Sequence, residues 1–336
     1  MNNIEDWSNI ADDFKEGLVL GNGASIAFYQ GFAYRSLLEE ARRNQAIKQE
    51  VQSIFDHLHT ENFERVLRML WHTTRINRAL NITDKKTRKA YASVRTALVQ
   101  AVTTIHPTHT AIRNRLPLAA KFMKRFKMIV SLNYDFLVYW TMMQGNKDRG
   151  HRLKDCFTKN GEFDSNWRRY LEPHGKNSRS TLVFYPHGNL ALASDLNGRE
   201  IKQTASSSNL LTTVTSNWKF KKYTPLFVSE GTSKQKVATI SRSDYLWTVH
   251  DSILPELGKR VAIFGWSLSS EDTHILRALC RGDLTDLAVS VSKCTPKVKL
   301  QAKCDEIKRR IEDASKGKKV KVVFYKANSP GCWVNT

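Results

Sequence analysis

Four short segments hold residue types that could work on one ligand. They are Gly21-Asn22-Gly23-Ala24-Ser25, Asn133-Tyr134-Asp135, His187-Gly188 and Gly265-Trp266-Ser267. Glycines such as Gly21 and Gly23 tolerate backbone conformations other residues avoid and let a ligand approach the main chain. A helix starting near Ala24 would direct N–H groups at a phosphate, and Ser25 would add a hydroxyl. Asn133 offers a donor and an acceptor suited to ribose hydroxyls or a held water. His187 has a side chain that can accept a proton near neutral pH. Gly265 and Ser267 repeat the glycine-and-hydroxyl theme, so the order suggests a dinucleotide pocket with Asn133 and His187 at its reactive end. Each piece also has a plain reading. The turns could be ordinary strand–helix junctions, Asp135 could cap a helix, and a single histidine could be a satisfied core residue. Pro173-His174-Gly175 is a second histidine candidate, set in an irregular basic stretch.

Each segment follows a short apolar run that reads as a buried strand: Gly17–Gly21, Lys127–Leu132, Leu182–Tyr185 and Arg260–Phe264. In open α/β sheets ligands bind outside the carboxyl ends of strands. Further strands are expected at Pro225–Ser229, Leu284–Val291 and Val320–Tyr325. Helices are expected at Lys85–Ile105, Thr108–Phe126 (bent or split at Pro117), Asp135–Met143, Lys234–Ile240, Asp244–Leu257, from Asp272 onward, and Lys297–Ala314. Asp272 reads as a cap rather than a ligand contact. Gln144–Ser180 reads as an irregular insertion, Leu190–Ala193 as a hairpin partner of the strand before His187, and Asn197–Asn217 as a mobile loop. The pattern predicts an α/β fold: a Rossmann-like parallel sheet flanked by helices, with a helical insertion. The sheet domain would be discontinuous, 1–30 and 125–336, with 31–124 inserted.

The chain has 336 residues, 41% of them hydrophobic, so a large core can form. Its net charge of +21 suggests an anionic partner such as nucleic acid or an acidic protein surface, or else a solvated basic face. Aromatic residues interleave with cations in Lys121–Lys127 and Trp218–Tyr223, as stacking surfaces for bases require. The five cysteines form no CxxC pair, so no zinc module and no metal are expected, and a reduced, cytoplasmic compartment fits. The N-terminus is polar and acidic, unlike a signal peptide, and no apolar run is long enough for a membrane span.

The ordered motifs GNGAS, NYD, HG and FGWSLSSED resemble the bacterial sirtuin-like family, in particular its members associated with anti-phage defence. The resemblance covers roughly residues 15–30 and 125–330. It implies that Gly21, Gly23, Ala24, Ser25, Gly265 and Ser267 contact NAD phosphates and ribose. Asn133 and Asp135 would face the nicotinamide ribose and carboxamide, and His187 would lie beside the ribose. Sirtuin deacylases usually carry two CxxC pairs, which this chain lacks, and Asn22 stands where that turn usually has alanine. The resemblance therefore implies an NAD hydrolase that releases nicotinamide and ADP-ribose, or a cyclic form, and depletes NAD. It also implies a HerA-like ATPase partner, while the helical block 31–124 is a candidate surface for a homo-oligomer. The competing expectations are a nucleic-acid-binding or nuclease subunit of a defence complex, for which no carboxylate cluster reads as a two-metal site, and a structural subunit of a larger assembly.

Overall fold

The computed structural model describes residues 4–33, 37–45, 47–61, 63–172, 178–195, 198–205, 210–219, 223–228, 232–292 and 297–336. Its strands in chain order are β1 (Ile4–Glu5), β2 (Gly17–Leu20), β3 (Met128–Ser131), β4 (His151–Lys154), β5 (Arg179–Phe184), β6 (Gly188–Asp195), β7 (Glu200–Lys202), β8 (Tyr223–Phe227), β9 (Arg260–Phe264), β10 (Asp286–Val291) and β11 (Lys321–Lys326). Eight of them form one sheet in the order β1-β11-β10-β9-β2-β3-β5-β4, with every pairing parallel.

Setting aside the edge strands β1 and β4, the sheet starts at β2 and steps outward through β3 to β5. It then returns to the other side of β2 and steps outward through β9, β10 and β11. Numbered along the chain, this is the 3-2-1-4-5-6 order of doubly wound dinucleotide-binding sheets, with its reversal point between β2 and β9. The central strands are apolar runs because helices flank the sheet: Leu18, Val19, Leu20, Ile129, Val130 and Ile263 are fully buried. Each such side chain contributes about 1.5–3 kcal/mol relative to exposure, so the strands, not the turns, hold the frame that carries the site. The expected α/β, Rossmann-like fold is therefore the observed one.

Between β2 and β3 the regular elements are helical, running from Asn22–Phe28 to Leu116–Met123. The long helices Phe63–Ala79 and Lys85–Ile105 lie in this stretch. The expected Thr108–Phe126 helix is two helices, His109–Ile112 and Leu116–Met123. Pro117 sits in the first turn of the second one, where a missing N–H costs nothing. Phe122 of that helix packs against Trp7, Phe264 and Trp333, so it belongs to the core of the sheet domain.

Several expectations need correction. Gln144–Ser180 is not wholly irregular, because it contributes β4, which extends the parallel sheet beside β5. Leu190–Ala193 lies in β6, but β6 does not pair with β5. It forms a second, antiparallel sheet with β7 and β8 in the order β7-β6-β8. The strand expected at Pro225–Ser229 is β8 and therefore lies outside the parallel sheet. The Ser/Thr-rich stretch 197–217 holds β7 and the start of the helix Leu210–Lys219. Apolar alternation marks a strand without naming its neighbour, so pairing had to come from the tertiary fold.

The aromatic residues of the basic runs are also corrected. Phe122 and Phe126 are buried against Trp7, and Trp218 is fully buried beside Phe227. Phe122, Phe126 and Trp218 are core residues, not stacking surfaces; in the first run Lys121, Arg125 and Lys127 are exposed between them, and Phe220 lies outside the described residues. No helix among the described residues is long and apolar enough to cross a membrane.

Candidate active site

A cleft of about 420 Å³ opens at the carboxyl ends of β2, β3 and β9. It is lined by Gly21 and Gly23, by Asn133, Tyr134 and Asp135, by His187, and by Gly265 and Ser267, so all four sequence segments meet in one place. The position is the reversal point of the sheet, and the volume falls within the roughly 300–1,000 Å³ of small-molecule sites.

The two glycine turns are interlocked. The Gly21 N–H donates to the Phe264 carbonyl at 2.9 Å and the Gly23 N–H to the Gly265 carbonyl at 2.8 Å. A Cβ on Gly23 would stand 2.7 Å from the Gly265 Cα. Gly265 has φ +70°, and a Cβ there would collide with the Ala24 nitrogen. Its own N–H donates to the Ser290 hydroxyl. Ala24 donates to the Gly21 carbonyl and accepts from the Trp333 indole N–H, so the segment at Trp333 buttresses the first glycine turn. The expectation that the helix start at Ala24 offers its N–H to a phosphate is therefore corrected: the Ala24 N–H closes its own turn on the Gly21 carbonyl, and the Gly23 N–H joins the two turns. The glycines are needed first for backbone-to-backbone contact.

Asn133 lies just past β3, and its side-chain amide reaches back to the glycine turn. Its Nδ2 donates to the Gly21 carbonyl at 2.9 Å and to the Ser25 hydroxyl at 2.8 Å. Ser25 in turn donates to the Asp135 carboxylate. The other Asp135 oxygen accepts the Leu137 N–H at 2.8 Å, which supports the capping reading of this residue. Next to it the Phe136 N–H donates to His106 Nε2 at 3.0 Å. Two donors at the start of the helix Leu137–Gly145 are thus satisfied by side chains. Burial raises the Asp135 pKa to about 6, against the lowering effect of its hydrogen bonds from Ser25 and Leu137. Burial lowers His106 to about 4, so it stays neutral and can accept from Phe136.

His187 follows β5 and precedes β6, at the seam between the two sheets. It is 3% exposed, and its carbonyl accepts the Val228 N–H at 2.7 Å. Its Nε2 lies 3.0 Å from His274 Nε2 and 3.9 Å from an Asp272 carboxylate oxygen. Asp272 is bound by Lys236 at 2.7 Å, and both line the cleft. One proton arrangement satisfies the row. The Ser233 hydroxyl donates to His274 Nδ1, the His274 Nε2–H donates to His187 Nε2, and the remaining His187 nitrogen donates to the Leu132 carbonyl. Burial lowers His187 to about 4, although Asp272 pulls upward. Burial and the neighbouring His187 lower His274 to about 2. Burial opposes ionisation of Asp272, but the attraction of His187 and Lys236 outweighs it and holds the carboxyl below its usual range. At neutral pH the site therefore presents two neutral imidazoles beside an ion pair.

Sequence reasoning missed His274, Lys236 and Ser233 and treated Asp272 only as a cap. Asp272 does precede the helix Thr273–Arg281, but its carboxylate makes no capping bond and turns to Lys236 and His187. The spacing Asp272-Thr273-His274 was a usable signal, since two chemistry-bearing side chains sit two residues apart where a helix begins. Lys236 and Ser233 carried none, because they enter from the helix Ser233–Ile240, remote in sequence. Ser267 lines the cleft and is exposed. His174 lies outside the described residues.

No curated protein matches the chain. A family model does match, over residues 18–333, which takes in β2 from its second residue through β11 and every residue named in the cleft. The chain belongs to the family described as a domain of unknown function (DUF4917).

Proposed function

We propose that the cleft binds NAD and hydrolyses its nicotinamide–ribose bond. The observation that carries this reading is the convergence of the four segments at the reversal point of a 3-2-1-4-5-6 sheet, where such sheets take dinucleotides. The residues fit the group in part. The glycine turns leave room for close approach, Ser267 and the Asn133 carbonyl oxygen remain for ribose or phosphate oxygens, and Lys236 supplies positive charge. Leaving of nicotinamide builds positive charge on the ribose, as in other glycosidic cleavages. The Asp272 carboxylate beside His187 is suited to stabilise it. His187 accepts a proton from the attacking water or a ribose hydroxyl through its Nε2 lone pair, exchanging the hydrogen bond from His274 for one from the substrate. Asn133 positions the ribose, and Ser25 and Asp135 hold Asn133.

The test is NAD consumption by the purified chain, alone and with DNA or a co-expressed ATPase. Loss of turnover in both Asn133→Ala and His187→Ala is the expected result. Full turnover in both variants, with folding intact, would overturn the reading.

A defence role that depletes NAD, a HerA-like ATPase partner and a cytoplasmic setting attach to this proposal through the sirtuin-like resemblance. Homo-oligomer formation attaches to the helices between β2 and β3, where Trp71, Ile76 and Leu80 stay exposed, and light scattering tests it. A second reading, nucleic-acid binding, rests on the net charge of +21 alone. DNA affinity that falls steeply with salt would support it.

A further inference from the structure

The side chains of His187, His274 and Asp272 form a cluster that the proposed hydrolysis uses only in part. One ligand atom from each lies within 4.8 Å of the others. The two Nε2 atoms are 3.0 Å apart, and an Asp272 oxygen is 3.9 Å from His187 Nε2. Zinc–nitrogen and zinc–oxygen bonds of about 2.0–2.2 Å separate neighbouring donors by about 3.3–3.6 Å at the tetrahedral angle. The two imidazole nitrogens, 3.0 Å apart, need to part slightly, and the Asp272 oxygen, 3.9 Å from His187 Nε2, needs to move slightly closer. We propose that these three residues form a binding site for a divalent transition-metal ion of the zinc class, contrary to the expectation of no metal.

Three further features favour it. Each imidazole is fixed through its other nitrogen, His187 by the Leu132 carbonyl and His274 by the Ser233 hydroxyl. Ion binding moves the His274 proton from Nε2 to Nδ1, where it donates to the Ser233 hydroxyl, and these second contacts then direct both Nε2 lone pairs to one point. Two histidines and one carboxylate form a nitrogen–oxygen set suited to zinc, iron or cobalt rather than to magnesium or calcium. The cluster also borders the cleft, since His187 and Asp272 line it, so a three-ligand ion would have an open position facing the ligand space.

Lys236 opposes the ion. Its ammonium lies 2.7 Å from the Asp272 oxygen and occupies part of the space a cation would claim. Affinity is therefore set by a contest between Lys236 and the ion for one carboxylate. The ion also takes the His187 lone pair that the proposed hydrolysis uses as proton acceptor, so zinc slows that reaction. This last consequence rests on the NAD reading, whereas the binding does not.

The test uses the full chain, stripped with chelator and free of NAD, titrated with Co²⁺ by visible absorption and with Zn²⁺ by calorimetry. The expected result is one ion per chain and a cobalt spectrum of nitrogen and oxygen ligands without thiolate charge transfer. Affinity should fall on the order of 100-fold in His274→Gln and in Asp272→Asn. It should rise roughly 10-fold in Lys236→Met, because a neighbouring like charge is removed. Absence of saturable binding in the wild type would overturn the proposal. So would unchanged binding in both His274→Gln and Asp272→Asn, each titrated below its own melting transition. If no ion binds at saturation while NAD is still consumed, this proposal fails and the functional one stands; if an ion binds while NAD is never consumed, the reverse holds.

Discussion

Gly23 donates its backbone N–H to the carbonyl of Gly265 at 2.8 Å, which makes the two glycine turns a single structural unit across β2 and β9. Segments more than 200 residues apart in sequence are joined at the reversal point of the sheet. Their first task is to let two backbones touch, and the ligand space is what remains beside that contact.

A side chain at either glycine should therefore cost stability before it affects any ligand. Gly265→Ala must adopt φ +70° and press on Ala24, while Gly23→Ala meets the Gly265 Cα. Each should lower stability by about 1–3 kcal/mol. Thermal melts check this, and Gly317→Ala is the comparison: its φ of +89° carries the backbone strain while a Cβ there meets nothing within 4 Å, so the excess cost of Gly265→Ala over it reports the contact with Ala24.

Asn133→Ala removes the donor that serves both the Gly21 carbonyl and the Ser25 hydroxyl. Leaving buried acceptors unpaired should cost about 1–3 kcal/mol. Chemical denaturation gives the value. NAD assays on this variant belong well below its melting temperature, so that loss of turnover reports the ligand contact.

Asp135 should make stability depend on pH in a defined window. Its unfolded pKa is the ordinary 3.8 and its folded value is about 6. Between these values the folded protein keeps a proton that the unfolded chain has released. The contribution is fully present below the unfolded pKa and is lost as pH rises through the folded one, by about 3 kcal/mol in all. In Asp135→Asn that share of the pH dependence should vanish. Denaturation midpoints of the two proteins from pH 3.5 to 7 would show it, and parallel curves would refute it.

Lys236 and Asp272 form an ion pair whose side chains are 7% and 17% exposed. Removing one partner strands a charge, so Lys236→Met or Asp272→Asn alone should cost about 3–5 kcal/mol. The double variant should cost less than the sum of the two. A double-mutant cycle in chelator, which excludes any bound ion, measures the coupling.

The helix Lys85–Ile105 and strand β9 follow their sequence patterns to the residue, because a long amphipathic stretch or an apolar run between breakers leaves few alternatives. Strand β8 was legible as a strand but not as a member of the antiparallel sheet. Leu190–Ala193 likewise named its own conformation and the wrong partner. Asn133, His187 and the two glycine turns were legible as neighbours in one cleft because each follows a strand, and strand ends share one edge of a parallel sheet. By itself the sequence determined the alternation of strands and helices, and with it the edge where ligand-facing residues must gather. Only the tertiary structure decided that Asn133 bonds to Gly21 and that His187 faces His274, Asp272 and Lys236. Those contacts join elements distant in the chain, and their geometry depends on how helices pack on the sheet, which no local pattern of residues encodes.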